Sequence, residues 1–412
     1  MLAFLVTLFG GFHLIENWRG KVKWEAYKRQ LIAQGAKLDL AAFIPPPIPD
    51  SENFAATPFF ASLFPGPPPT NWTDRWPLTI DRLRATASSG KKNERHITDL
   101  AGMQFALRAQ NRQDTNGITG DRAQAAKELL AAMKMYELSI EELRAASARP
   151  RARYNVKYDL DNPWGTLIPH VGAIKRVCQD LSLKACAELA AGNSEGAMAD
   201  IRLMARLTRS MDDELFLITF MVKVACLQFA VQPIWEGLAF GQWSDGQLEE
   251  LQRMMMGFDF VNDMAKPLGV EQASGILTGE IFLREKKRAQ LFNALFNAGG
   301  QSPFANLFVS LIPRGWFYQE QYNCARLFQE FVWPGFDPTN RVIDARVSDY
   351  KQETLDKVLT AAKHPILSHM FFAKQLLPAV GNAHRKAAHA QTAAHQAAIA
   401  CALERYRRKY GD

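Results

Sequence analysis

The chain opens on an apolar run, MLAFLVTLFGGFHLI, with no formal side-chain charge unless His13 is protonated. WEAYKRQLIAQGAK, Trp24 to Lys37, then places Trp24, Tyr27 and Leu31 on one face at helical spacing, and Gly35 weakens its end. Residues 1–16 therefore read as a hydrophobic anchor segment and 17–40 as a stalk helix. Residues 41–80 show no helical period and are dense in proline and phenylalanine. From Thr98 onward, inside a body covering 81–412, the apolar pattern turns helical. A sub-boundary falls near 296–303, where Gly299 and Gly300 interrupt the pattern.

Within the body, Ser139-x-x-Glu142, Ser210-x-x-Asp213 and Ser244-x-x-Gln247 each have the form of a capping box ahead of an apolar-periodic run. Gly192-Asn193 and Gly241-Gln242 punctuate pairs of helices. Ala185 to Leu207 has the small-residue rhythm of a tetratricopeptide-like hairpin, and Gly237 to Met255 is a looser second one. The two turn glycines are 49 residues apart and no strict 34-residue period persists. The expectation is an all-α fold, a helical-hairpin body of tetratricopeptide-like or α-solenoid-like character, without a regular repeat.

Three further segments add detail. Leu215 to Trp235 is the most apolar internal run, but Lys223, Gln228, Gln232 and Pro233 interrupt it, so it reads as a central buried helix rather than a membrane span of about twenty apolar residues. Tyr154 to Trp164 alternates briefly and carries the one persuasive β signal. Ala383 to Ala402 holds ten alanines, with Ala390, Ala394, Ala398 and Ala402 every four residues, a face that a neighbouring helix can approach closely.

The strap between stalk and body is stiff. Pro45, Pro46, Pro47 and Pro49 fix their own φ and push each preceding residue out of the α region, giving extended polyproline II. Asp50 or Ser51 caps a short turn through Phe54, which Thr57-Pro58 ends. Pro65 and Pro67 to Pro69 stiffen a second stretch. Pro46 to Pro49 has the P-x-x-P spacing of a docking peptide, yet the aromatic surroundings favour packing of Phe54, Phe59, Phe60 and Phe64 onto the chain's own body.

Composition refines this picture without redirecting it. The 412 residues have room for two or three domains or one elongated array, and 48% are apolar, ordinary for a packed core. The net charge is +7, but 49 Lys and Arg against 42 Asp and Glu are well mixed, which allows an acidic partner without demanding one. Cys178, Cys186, Cys226, Cys324 and Cys401 are odd in number with no C-x-x-C, so they read as buried free thiols.

Chemistry-bearing clusters are sparse. His384, His389 and His395 share one helix but point apart, and H-E-x-x-H is absent, so no metal is expected. Asp259 and Asp263 read as charges compensating a helix dipole. SSGKKNE, Ser88 to Glu94, lacks the upstream glycine of a phosphate loop, and the Asn71-Trp72-Thr73 sequon is a common pattern. Basic clusters lie at Arg149 to Tyr158, Arg284 to Arg288 and Glu404 to Tyr410. The first interleaves arginine with tyrosine, and Arg149, Arg151, Arg153 and Lys157 are its candidate contacts for an anion or phosphate. Solvated helix ends explain these short clusters more simply, and a nucleic-acid partner is not expected. No cofactor is expected either.

The anchor is compatible with two settings. As a helix its 15 residues reach about 22 Å, short of a hydrocarbon core of about 30 Å. Trp18 and Trp24 with Arg19, Lys21 and Lys23 suit a headgroup layer. The segment therefore reads as a membrane anchor, with a buried N-terminal helix as the alternative. The basic flank would keep the body in the cytoplasm, whereas a basic segment upstream would export it.

NWRGKVKWEAYKRQLIAQGAKLDLAAFIPPPIPDSENFAATP, Asn17 to Pro58, resembles the opening of a family of uncharacterised, membrane-anchored helical proteins of planctomycetes and verrucomicrobia. That family joins a W-x-x-Y helix to a PPP-x-P-D-x-x-N-F-A strap. Ile168 to Leu207 matches the family's rhythm, as does ACALERYRRKYG, Ala400 to Gly411, which also resembles a segment of secretion pseudopilins. The resemblance implies a bacterial inner-membrane protein whose body is periplasmic, with residues missing at both ends, and it carries over no catalytic residue. The resulting expectation is a membrane-anchored scaffold that binds another protein through a helical groove. The alternatives are an enzyme assembling two or more of His170, His364, His369, Glu271 and Glu280 in a deep pocket, and an anionic-lipid or nucleic-acid binder.

Overall fold

The computed structural model describes residues 1–64, 75–76, 96–113, 115, 120–285, 290–291, 309, 311–364 and 367–411. The second proline stretch, the Asn71 sequon, Ser88 to Glu94, Lys286 to Arg288 and the boundary near 296–303 lie outside these residues.

Anchor and stalk form one unbroken helix, α1 (Leu2–Ala33). A short 3-10 turn, Leu40–Phe43, follows, capped by the Asp39 carboxylate accepting from Ala41 N at 2.9 Å. The chain then runs through the prolines, turns at Asp50 to Ala55, where Asn53 N donates to Asp50 O, and reaches α2 (Pro58–Ala61). Thr57-Pro58 follows that turn and also starts α2: Thr57 occupies the N-cap, its hydroxyl accepting from Phe60 N, and Pro58 sits at the first helical position, where its missing N–H costs nothing.

The body begins with α3 (Leu100–Gln110), α4 (Arg122–Met133) and α5 (Glu137–Ala146). Two hairpins follow. The first, α6 (Pro169–Ala190) and α7 (Ser194–Arg209), turns on Gly192 at φ 81°, and the Asn193 side chain caps α7. The second, α8 (Leu217–Ala239) and α9 (Asp245–Met256), turns on Gly241 at φ 64°. Only glycine reaches such φ values without strain. Ser244 and Gln247 complete a full capping box on α9. The other two boxes do not form. Ser139 donates to Arg75 O and Ser210 to Leu207 O, because the helices near them begin at Glu137 and Leu217 instead.

The remaining elements are α10 (Phe260–Asp263), α11 (Ala265–Arg284), α12 (Arg314–Leu327), a π turn over Phe328–Val332, strands β1 (Phe336–Asp337) and β2 (Val342–Ile343), α13 (Ala345–Ala361), α14 (Phe371–Gly381) and α15 (Ala383–Tyr410). The fold is all-α, and the two-residue antiparallel ladder is the only sheet among the described residues. Tyr154 to Trp164 is not a strand. Its alternation arises because Tyr154 and Val156 point into the helical core, not because a strand pairs with it.

The packing follows from the apolar faces. α6 lies against α4, α7 and α8, and α8 also packs on α15. The alanine face of α15 (Ala383, Ala387, Ala390, Ala394, Ala398) is buried against α8 and α9, so this seam is internal. Helix α8 is long and apolar enough to cross a membrane, but 56% of its most apolar window is buried in the body. Lys223 on α8 is 1% exposed and neutralised by Asp212 and Asp263. All five cysteines are buried and free.

The second group of helices comprises α1, α11, α12 and α14. Here α1 crosses α12 at Gly20 and Gly315. A Cβ on Gly20 would lie 2.1 Å from Gly315 O, and one on Gly315 would lie 1.9 Å from Glu16 O. The crossing is sealed by Gly315 N donating to Asn17 Oδ1 at 2.7 Å and by Gln319 Nε2 donating to Glu16 Oε2 at 3.0 Å. Beyond it, Trp24 and Leu31 are buried against Ile276 and Ala325.

Gly315→Ala should therefore lower stability by about 1–3 kcal/mol, the range for forced overpacking. Gly10→Ala, with nothing within 4 Å of the new methyl, should leave stability unchanged or raise it slightly. Denaturant titration of both variants checks the contrast.

Candidate functional site

Three regions combine unusual chemistry with defined geometry: the strap, the free end of α1, and an apolar cavity beside the N-terminus of α8.

In the strap, Phe54, Phe59 and Phe60 are essentially fully buried in the main core, and Phe64 is partly buried against it. Their rings meet edge to face, Phe54 with Phe60 at 5.5 Å, Phe59 with Trp76 at 6.0 Å and Phe60 with Tyr154 at 5.1 Å. Each buried ring stabilises the docked strap by about 1.5–3 kcal/mol. Asn53 adds a backbone clamp, donating to Arg153 O at 2.9 Å and accepting from Arg153 N at 2.8 Å. Phe54 N donates to Arg151 O and Arg151 N to Glu52 O, one short parallel bridge.

The basic cluster beside it turns out to hold this strap. Arg149 donates to Asn53 O and Ala56 O, and Arg153 donates to Pro45 O at 3.0 Å. Arg151 lies 3.7 Å from Glu52, and Lys157 is exposed. The guanidinium groups at 149 and 153 thus tie strap carbonyls to the body: Pro45 O lies in a proline run short of N–H groups, and Asn53 O accepts from Arg149 besides Ala56 N of the strap itself.

On α1, Phe4, Leu5, Leu8, Phe9, Phe12, Leu14 and Ile15 are exposed. The polar residues that follow form a collar. Trp18 is 69% exposed, Arg19 pairs with Glu16 at 3.1 Å, and the Lys23 ammonium sits 3.9 Å from the centre of the Tyr322 ring.

The cavity has a volume of about 370 Å³. It is walled by Trp164 and Ile168, by Phe216 and Met221 at the start of α8, and by Leu376 of α14. Trp164 and Ile218 at its edge are partly open to solvent. The one carboxyl in its wall is Glu271 of α11, whose Oε1 accepts from Leu217 N at 3.3 Å. Burial raises its pKa to about 7, only partly offset by that backbone N–H. No cation among the described residues pairs with it. Glu320 on α12 is comparable: both its oxygens accept backbone N–H groups, from Phe371 and Phe372 at the start of α14, and burial raises its pKa to about 8.

The other residues of the enzyme alternative do not join Glu271. His170 is fully buried, stacked on Tyr154 at 4.0 Å, with Nε2 3.2 Å from Glu214 but without an aligned hydrogen bond. His364 is exposed, His369 packs on Trp316, and Glu280 pairs with Arg284 one turn along α11. His384 is buried against Phe336, and burial lowers its pKa to about 4, while His389 and His395 are exposed. Among the described residues no group of three metal-ligating side chains occurs. Glu271 lies outside every motif pattern, and the signal that marks it is a lone glutamate in the largely apolar run LGVEQASGIL.

No protein-family model, curated protein or solved structure matches the chain.

Because Glu271 and Glu320 hold protons that the unfolded chain releases near its ordinary value of 4.5, their contribution is fully present below that value and lost as pH rises through about 7 and 8. The buried His384 opposes this trend weakly at the lower end, because its imidazole in the unfolded chain is half protonated at pH 6.5 and neutral only above about pH 7.5. The melting temperature should fall between pH 6.5 and 8.5, and the Glu271→Gln/Glu320→Gln double variant should flatten that slope. A wild-type profile already flat over this window would contradict the burial.

Proposed function

We propose that this protein is a membrane-tethered helical scaffold. The observation that carries this reading is the division of α1: its second half is locked to α12, while in its first half Phe4, Leu5, Val6, Leu8 and Phe9 are exposed on every face, the body being met among the described residues at Phe12, whose ring lies against Trp316. A helix apolar all round requires a nonaqueous neighbour. Leu2 to Ile15 reach about 21 Å, enough to enter the hydrocarbon of a bilayer but short of its full thickness of about 30 Å. Trp18, Arg19, Lys21 and Lys23 then fall at headgroup depth. The resemblance of Asn17 to Pro58 to membrane-anchored proteins supports the same placement, with the body on the outer face of a bacterial inner membrane.

A scaffold needs a surface for its client, and α15 offers one. Ile399, Leu403, Tyr406 and Tyr410 are each more than half exposed and are spaced four, three and four residues apart. That is the a/d seam of a coiled coil, with Arg407 and Lys409 in the flanking e and g positions. The fitting client is an amphipathic helix of another protein with acidic residues beside its own seam.

In vesicle flotation, the full chain should rise with the lipid, whereas Leu5→Asp/Phe9→Asp should stay behind with an unchanged melting temperature. Flotation that survives the double substitution would remove the basis for the tether.

For the seam, a synthetic helix with leucine at a and d and glutamate at e and g should bind. A lysine-flanked twin should bind at least tenfold more weakly, and Leu403→Asp should abolish binding. Equal binding of both peptides would overturn the client's assignment.

A further inference from the structure

We propose that the cavity between α8, α11 and α14 is a binding site for a small organic ammonium: a primary amine carried on an aromatic or short alkyl body.

Its shape suits a small molecule. The volume of about 370 Å³ lies at the lower end of the span for such sites, about 300–1,000 Å³. The walls are mostly apolar, with Thr166 and Gln375 as neutral polar members beside Glu271, and the aromatic rings of Trp164 and Phe216 contribute to them. Trp164 is held in place, its indole N–H donating to Thr278 Oγ1 at 2.9 Å, while Thr278 in turn donates to Ser274 O. The site is thus lined before any ligand arrives.

The charge argument selects the ligand. Glu271 is the one ionisable group in the wall, and it reaches the cavity with a single backbone N–H for support. Several other buried carboxylates have cations: Asp200 has Lys184 and Arg144, Glu236 has Arg122, and Asp263 has Lys223, while Glu320 is held by two backbone N–H groups. Glu271 has no such cation among the described residues. A carboxylate shut into an apolar wall is costly until a cation or hydrogen-bond donor meets it. An ammonium supplies both, and aromatic faces attract it further. A ligand carboxylate would repel Glu271, and a hydroxyl would satisfy the hydrogen bond without balancing the charge.

This inference is independent of the tether, and a titration separates the two. The full chain in detergent micelles is titrated calorimetrically at pH 7.5 with 2-phenylethylamine, 2-phenylethanol and 3-phenylpropanoate, with blank titrations into empty micelles. The amine should bind at least tenfold more tightly than the other two. Glu271→Gln should bring the amine down to the level of the alcohol. Ile218→Trp, which crowds the cavity mouth without altering the carboxyl, should weaken all three. The proposal is overturned if the wild-type protein binds none of them, if it binds all three alike, or if the amine's preference survives Glu271→Gln.

Discussion

The contact on which the rest of the molecule depends is the crossing of two helix backbones at Gly20 and Gly315. Neither helix could come this close with a side chain at that point, since a methyl on either glycine would overlap the other backbone. Once the backbones meet, Asn17 caps the buried amide of Gly315 at the start of α12, and Glu16 becomes a buried acceptor for Gln319. These bonds fix where α1 leaves the body, and therefore where its apolar half projects. The same α12 carries Glu320, which caps α14, and α14 closes one wall of the cavity. The projecting half of α1, the cap on α14 and one wall of the pocket thus all connect through α12.

The strap solves a different problem with similar economy. A proline-rich segment has few N–H groups and pairs with itself only in short turns, here Glu52 N to Pro49 O and Asn53 N to Asp50 O, so donors from outside help to hold it. Arg149 and Arg153 provide them, and the buried phenylalanines make detachment expensive. The basic cluster and the aromatic strap, which look like separate features in the sequence, are two sides of one joint.

Much of the fold was legible because it is local. Gly192 and Gly241 mark their turns through the backbone conformation that each turn demands, and Ser244 with Gln247 makes the capping box its spacing predicts. The alanine period of α15 announces a close-packed seam. What was not legible depends on partners far away in sequence. Ser139-x-x-Glu142 has the form of a cap, yet Glu142 instead accepts the Phe59 amide and pairs with Arg75. Gly20 looks like a weak point in a helix until Gly315 comes to it from 295 positions away. Glu271 and Glu320 belong to no motif, and their character is set by the apolar walls that tertiary packing builds around them.

Amide hydrogen exchange across residues 2–33, followed with and without lipid vesicles, tests the central claim most directly. A tether locked at Gly20 and free before Glu16 requires strong protection of residues 16–33 in both conditions. Residues 2–15 should exchange rapidly in water and slow markedly when vesicles are added. Uniform protection along the whole helix without lipid, or uniform loss of it up to Ala33, would contradict that division.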